Sequence, residues 1–211
     1  MHLRRLAVLV SLTSCALFAQ KWEVGAAGGG SFYTSQTLTG SPDSADATFK
    51  TAIAASAWIG NDSGGHIGGE VRYDYEATEP QLKGGGTTVT FGGHTQAVHY
   101  DFLIHLTSRE SRVRPFVAAG AGIKVYQGTG QEEAFQPLQN VALLTRSQDL
   151  TPLVSAGAGI KVAVTSNIQL RLEVHDFMTS FPKQVIVPNV GTSKGGWVHD
   201  IVPMFGISFT F

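Results

Sequence analysis

The chain has 211 residues, 43% of them apolar, with 25 glycines and a formal net charge of −1. That is enough for one domain with a sizeable core and short for two. An ordinary apolar fraction excludes a disordered chain, and the lack of a basic stripe argues against a nucleic-acid partner. The single cysteine, Cys15, lies near the N-terminus, which excludes a disulfide scaffold, a Cys-rich zinc site and a thiol nucleophile for the rest of the chain.

The chain opens MHLRRLAVLVSLTSCALFAQ. A basic start at Arg4 and Arg5, a short apolar run and a small-residue exit at Ala19 predict a secretory signal peptide over 1–19. The apolar run is too short for a membrane helix, which needs about 20 residues. Leu12-Thr13-Ser14-Cys15 also resembles a lipobox, which would leave Cys15 lipidated. Both routes lead out of the cytoplasm, and residues 20–211 form the expected mature domain.

From there on the dominant signal is alternation with period two, the mark of strands with one apolar face. It predicts about eight strands, near 21–34, 49–61, 65–79, 95–107, 114–127, 150–165, 167–180 and 198–211. In the seventh, Ile168, Leu170, Leu172 and Val174 share one face and Gln169, Arg171, Glu173 and His175 the other. In the eighth, Ile201, Phe205, Ile207, Phe209 and Phe211 oppose Asp200, Ser208 and Thr210. A helix would spread both sets around its circumference.

Connections alternate between short and long. NDSG (61–64), SRESRVR (108–114) and TSN (165–167) are short, and about 35–48, 80–94, 128–149 and 181–197 are long loops rich in turn residues. The segment AGAGIKV occurs at 119–125 and again at 156–162. Two copies make no solenoid; they read as two similar strands whose small residues leave room on the inner face.

The polar faces carry Glu23, Glu70, Arg72, Asp74, Asp101, Lys124, Lys161, Arg171 and Glu173, while the opposite face is nearly free of charge in at least six of the eight strands. Packing protein over eight such apolar faces would take far more chain than is present, whereas lipid can cover them all. The apolar faces are therefore expected to meet lipid and the polar faces to line a lumen. Trp22, Phe32, Tyr73, Tyr75, Tyr100, Phe102 and Phe211 are candidates for interfacial aromatic girdles. A soluble ligand-binding barrel of lipocalin type is the alternative.

The ending Gly206-Ile207-Ser208-Phe209-Thr210-Phe211 resembles the C-terminal signal of bacterial outer-membrane β-barrels, with Met204 standing where a polar residue is usual. Together with the leader and the loop alternation, the chain resembles the small eight-stranded barrels of the OmpA/OmpX type. The resemblance implies an all-β fold, a closed up-and-down antiparallel transmembrane barrel in the outer membrane, with periplasmic termini. It also implies outer-membrane lipid as surroundings and recognition of the last strand, through Gly206, Phe209 and Phe211, by the barrel-assembly machinery. A monomer is expected, with no domain after the last strand.

An eight-stranded barrel is just wide enough inside for side chains to fill it. Four bases against five acids predict a paired network that plugs the lumen, since unpaired buried charges cost several kcal/mol each. His66, His99, His105 and His175 are placed in that network. Their spacing fits no metal motif, so no metal or cofactor is expected. His175 and Asp176 near Ser180 are the best local candidates for a hydrolase at the loop end. They fall on opposite strand faces, so no catalytic residue is assigned. The function expected is a non-enzymatic scaffold whose loops meet an unspecified extracellular partner. A lipid hydrolase or a narrow solute pore is the alternative.

Overall fold

The computed structural model describes residues 21–40, 43–62, 65–192 and 196–211. The leader and Cys15 lie outside them, as do parts of NDSG and of the long connections 35–48 and 181–197. The described chain is all-β, in fourteen strands. In order they are β1 (Lys21–Tyr33), β2 (Gln36–Thr39), β3 (Ser44–Phe49), β4 (Ala52–Asp62), β5 (Ile67–Glu76), β6 (Pro80–Gly84) and β7 (Thr87–Thr90). They continue with β8 (Gly93–His105), β9 (Val113–Gly128), β10 (Ala142–Leu144), β11 (Gln148–Ala163), β12 (Ile168–Ser180), β13 (Ile186–Pro188) and β14 (Trp197–Thr210). Eight of these close a barrel in the order β1-β14-β12-β11-β9-β8-β5-β4. Every pairing is antiparallel, and β1 meets β14 in the register Glu23↔Thr210 to Tyr33↔Asp200.

Alternation decides the faces. Arg171, Glu173 and His175 of β12 are buried, while Leu172 and Val174 point outward at 61% and 42% exposure. Ile201, Phe205, Ile207 and Phe209 of β14 are exposed while Asp200 and Ser208 are buried. Each barrel strand carries exposed apolar residues, for example Val24, Ile59, Val71, Tyr100, Val117 and Val154. A continuous outer surface of this kind far exceeds the few hundred Å² that a soluble monomer exposes, and it matches a barrel wall facing lipid. Of the girdle candidates, Phe32, Tyr73, Tyr75, Tyr100, Phe102 and Phe211 are exposed and Trp22 is half-buried. The lumen is not polar throughout. Ala54, Ala97, Leu153, Phe177, Val202 and Met204 form one apolar cluster inside it, and Leu103, Phe116 and Ala118 another.

The inward glycines of the two AGAGIKV copies make space for large neighbours. A Cβ at Gly157 would lie 2.7 Å from the His175 ring, and one at Gly159 2.6 Å from that of Phe116. At Gly122 it would stand 2.2 Å from the Val98 carbonyl oxygen and 2.4 Å from the His99 Cβ, neither of which can swing away. Gly122→Ala is therefore expected to cost about 1–3 kcal/mol through overpacking. A lower urea midpoint for the folded barrel would register it; an unchanged midpoint would mean that the β8–β9 pair yields freely.

The long connections differ from the expectation of plain loops. They hold six short strands and their own core. β2-β3-β6-β7 form a four-stranded sheet, and β10 pairs with β13. Gly85 and Gly86, both with positive φ (55° and 77°), make the two-residue turn from β6 to β7, as a primed hairpin turn requires. The β4–β5 wall continues upward into β3–β6 through Lys50 N–H to the Glu79 carbonyl (2.9 Å) and Ala77 N–H to that of Ile53 (3.1 Å). The β11–β12 wall continues into β10–β13 through Thr145 N–H to the Val185 carbonyl (3.0 Å). In the closed strand order these two walls stand on opposite sides of the barrel. Their extensions meet over the mouth around Leu38, Phe49, Leu82, Val141, Leu144 and Ile186. Asn140 also hydrogen-bonds Asp43 across the gap. The loop end is thus roofed by a packed cap.

Candidate functional site: the filled lumen

Below the cap the barrel interior is stacked with ion pairs. Among the described residues seven carboxylates (Glu23, Glu70, Asp74, Glu76, Asp101, Glu173, Asp200) and five bases (Arg72, Arg114, Lys124, Lys161, Arg171) are buried. The surplus acids take hydroxyl and imidazole partners. Ser31 donates to Asp200 (2.8 Å) and Thr95 to Glu76 (2.7 Å).

The centre is a quartet from β5 and β12. Arg72 donates to Glu173 (2.6 Å) and Glu70 (3.0 Å). Arg171 donates to Glu70 (2.7 Å) and Glu173 (2.5 Å), so each carboxylate bridges both guanidiniums. Trp58 lies against both, 5.0 Å from the Arg72 guanidinium carbon and 4.7 Å from that of Arg171. Its indole N–H donates to Glu23 (3.1 Å), which also accepts from Lys161 (2.6 Å). Charge-assisted, fork-like pairing of this sort fixes geometry as well as energy.

Toward the cap, His99 stands between Asp74 (2.8 Å) and Asp101 (3.0 Å). His175 lies 3.3 Å from Glu173 and 3.6 Å from Asp101. Higher still, Lys124 donates to Asp200 (2.6 Å) and Glu76 (2.9 Å), with its ammonium 4.9 Å from the Tyr33 ring and 5.3 Å from that of Phe177. Toward the short turns, Arg114 donates to Asp62 at 2.6 Å.

All nine charged residues picked out by alternation are therefore buried in the interior, and so are His99, His105 and His175. His66 is the exception. It precedes β5, in the turn, where the pleat no longer dictates direction; the residue is exposed and its Nδ1 lies 2.8 Å from the His105 carbonyl oxygen. Glu76, Asp200 and Arg114 belong to the network but are not counted in the sequence-based set of nine, although alternation puts Asp200 on the polar face of its strand. Each keeps its strand's inward parity, with Glu70, Ser208 and Lys124 respectively, so the same alternation could have added them.

The hydrolase candidates are not brought together. His175 is buried in the lumen, Ser180 is exposed, and Asp176 faces outward to pair with His199 at 2.9 Å. No group of three His, Cys, Asp or Glu side chains among the described residues is placed to hold a metal ion. Gly206, Phe209 and Phe211 lie at the end of β14 and just beyond it, where Phe209 and Phe211 stack at 6.2 Å.

An apolar wall all round, closed strands and a filled polar interior define an eight-stranded β-barrel of the outer-membrane type. No protein-family model matches the chain, and no curated protein matches it. Among solved structures the chain is similar to Neisserial surface protein A, with a TM-score of 0.55 and 11% identity over 90% of this chain and 97% of that one. It is likewise similar to the outer membrane protein OprG from Pseudomonas aeruginosa (TM-score 0.55, 11% identity, 90% and 95% covered). The outer membrane protein AlkL in lipid bilayers is a third (TM-score 0.51, 15% identity, 90% of each chain covered). At these identities the likeness is one of fold.

Proposed function

We propose that this protein is a non-enzymatic, non-conducting barrel of a bacterial outer membrane, a rigid anchor that presents its cap at the cell surface. The observation that carries this reading is the double closure of the lumen, by the Arg72–Glu70–Arg171–Glu173 quartet at mid-height and by the packed cap above it. A pore of this diameter would need a continuous file of water, and both tiers stand across it. The short-turn end, with both termini, would face the periplasm, and Gly206, Phe209 and Phe211 would serve the assembly machinery as its signal. The cap, ordered by its own core, would offer a fixed surface to a partner rather than a set of free loops.

Gel mobility of the refolded protein with and without boiling is the first test, and a heat-dependent shift is expected. Planar bilayers then decide conduction. The wild type should give no discrete steps; steps of steady size in the wild type would overturn the closed-lumen reading and favour a solute pore.

A further inference from the structure

The two mouths of the barrel differ. The loop mouth is sealed by apolar packing, whereas the short-turn mouth opens into a polar cavity of about 210 Å³. Its lining includes Glu23, Asp62, Arg109, Glu110, Arg114 and Gln169. Four of these carry a buried polar atom without a hydrogen-bond partner among the described residues: Asp62 Oδ1, Arg109 Nη2, Arg114 Nε and Gln169 Oε1. Two of these side chains, Asp62 and Arg114, are otherwise firmly held. Arg114 gives Nη1 to Asp62 Oδ2 (2.6 Å) and Nη2 to the Gly65 carbonyl (3.1 Å), which leaves its Nε and the second Asp62 oxygen over. Buried donors and acceptors are nearly always satisfied in native proteins, so four spare ones around one cavity call for something that fills it.

Charge selects what that is. Two guanidiniums, of Arg109 and Arg114, face three carboxylates, of Glu23, Asp62 and Glu110. Glu23 is already engaged by Lys161 and Trp58. A simple anion would gain from the arginines and be repelled by Asp62 and Glu110, and a simple cation would meet the reverse. A molecule with both charges satisfies both sets of atoms. The volume is below that of pockets for drug-sized ligands and suits a molecule of a few heavy atoms to about a dozen.

We propose that the short-turn mouth binds a small zwitterion, a free amino acid or a short peptide with free ends, with its carboxylate at Arg109 Nη2 and its ammonium at Asp62 Oδ1. Binding does not depend on which side of the membrane the mouth faces; only its setting in the periplasm rests on the orientation proposed above. Arg109 lies in the connection between β8 and β9, outside the barrel ladders, so its side chain can be removed without touching a strand pair.

The test is titration of the folded barrel in detergent micelles with L-alanyl-L-alanine, followed by amide chemical shifts. Saturable shifts are expected to centre on residues 106–114 and 164–169. The N-acetyl and the methyl-ester dipeptides should each bind about tenfold or more weakly, as should Arg109→Ala, since each removes one charge-assisted contact. No saturable shift up to the solubility limit, or equal binding of the free and capped peptides, would overturn the proposal and leave the cavity to water. If Arg109→Ala loses its heat-dependent gel shift, the capped peptides on the wild type decide alone. Conductance in bilayers is independent of this result, so failure here and failure of the closed-lumen reading remain distinguishable.

Discussion

An Arg171→Leu variant is expected to lose about 3–5 kcal/mol of stability in urea titrations of the folded barrel, because the change strands buried charge. Arg171 gives three hydrogen bonds, to both oxygens of Glu70 (2.7 and 2.8 Å) and to Glu173 (2.5 Å), and its guanidinium carbon lies 4.6 Å from the Phe116 ring. Without it, two fully buried carboxylates share one guanidinium, that of Arg72. The apolar replacement keeps much of the volume in the slot and removes the charge together with its three hydrogen bonds. Adding Glu70→Gln to Arg171→Leu should therefore recover a large part of the loss, since it removes the one carboxylate charge that Arg72 alone leaves uncompensated. A loss below about 1 kcal/mol for the single variant would mean that the quartet behaves as a solvated surface pair, with water reaching mid-lumen. That result would also count against the closed-lumen reading.

Phe49→Ala is expected to open the cap while leaving the barrel closed. Phe49 ends β3 at the foot of the cap, with its ring 4.8 Å from Tyr33 and 5.0 Å from Tyr126. Truncating a buried Phe costs about 3–5 kcal/mol. The cap is a small unit, tied to the walls by a few backbone bonds and one shared core, so the loss should fall on its local stability. Trypsin should cut at exposed Lys50, Lys83 or Lys183 much faster than in the wild type, and the heat-dependent gel shift should persist. Loss of the gel shift together with the cap would show one cooperative unit from cap to short turns. Unchanged cleavage would show that the β2-β3-β6-β7 ladder, rather than the apolar core, holds the roof.

The eight barrel strands and their faces were legible in the chain because alternation is a local property. Whether Leu172 meets lipid and Arg171 the lumen depends on parity along β12, which can be read without knowing any partner. The same parity puts Asp200 on the polar face and would have added Glu76 and Arg114, each on the inward face of a strand already recognised. It misled at His66, where the strand had not yet begun. The inward apolar residues Phe177, Val202 and Met204 keep correct parity but break the equation of apolar with outward, because the lumen below the cap contains a small core of its own. The cap strands were beyond reach. β10 and β13 have three residues each and no readable period, and each pairs with a strand from a different loop.

By itself the sequence determined the number of barrel strands, the closed all-β class and which face of each barrel strand turns inward, since period-two patterning acts over a few residues. Only the tertiary structure decided which inward charges meet, and that the loops close into a roof. Glu70 and Arg171 are 101 residues apart and touch because barrel closure sets β5 across the lumen from β12. β3 and β6 pair because the adjoining β4–β5 wall carries them up side by side. Contacts of that kind are consequences of closure, and no local pattern encodes them.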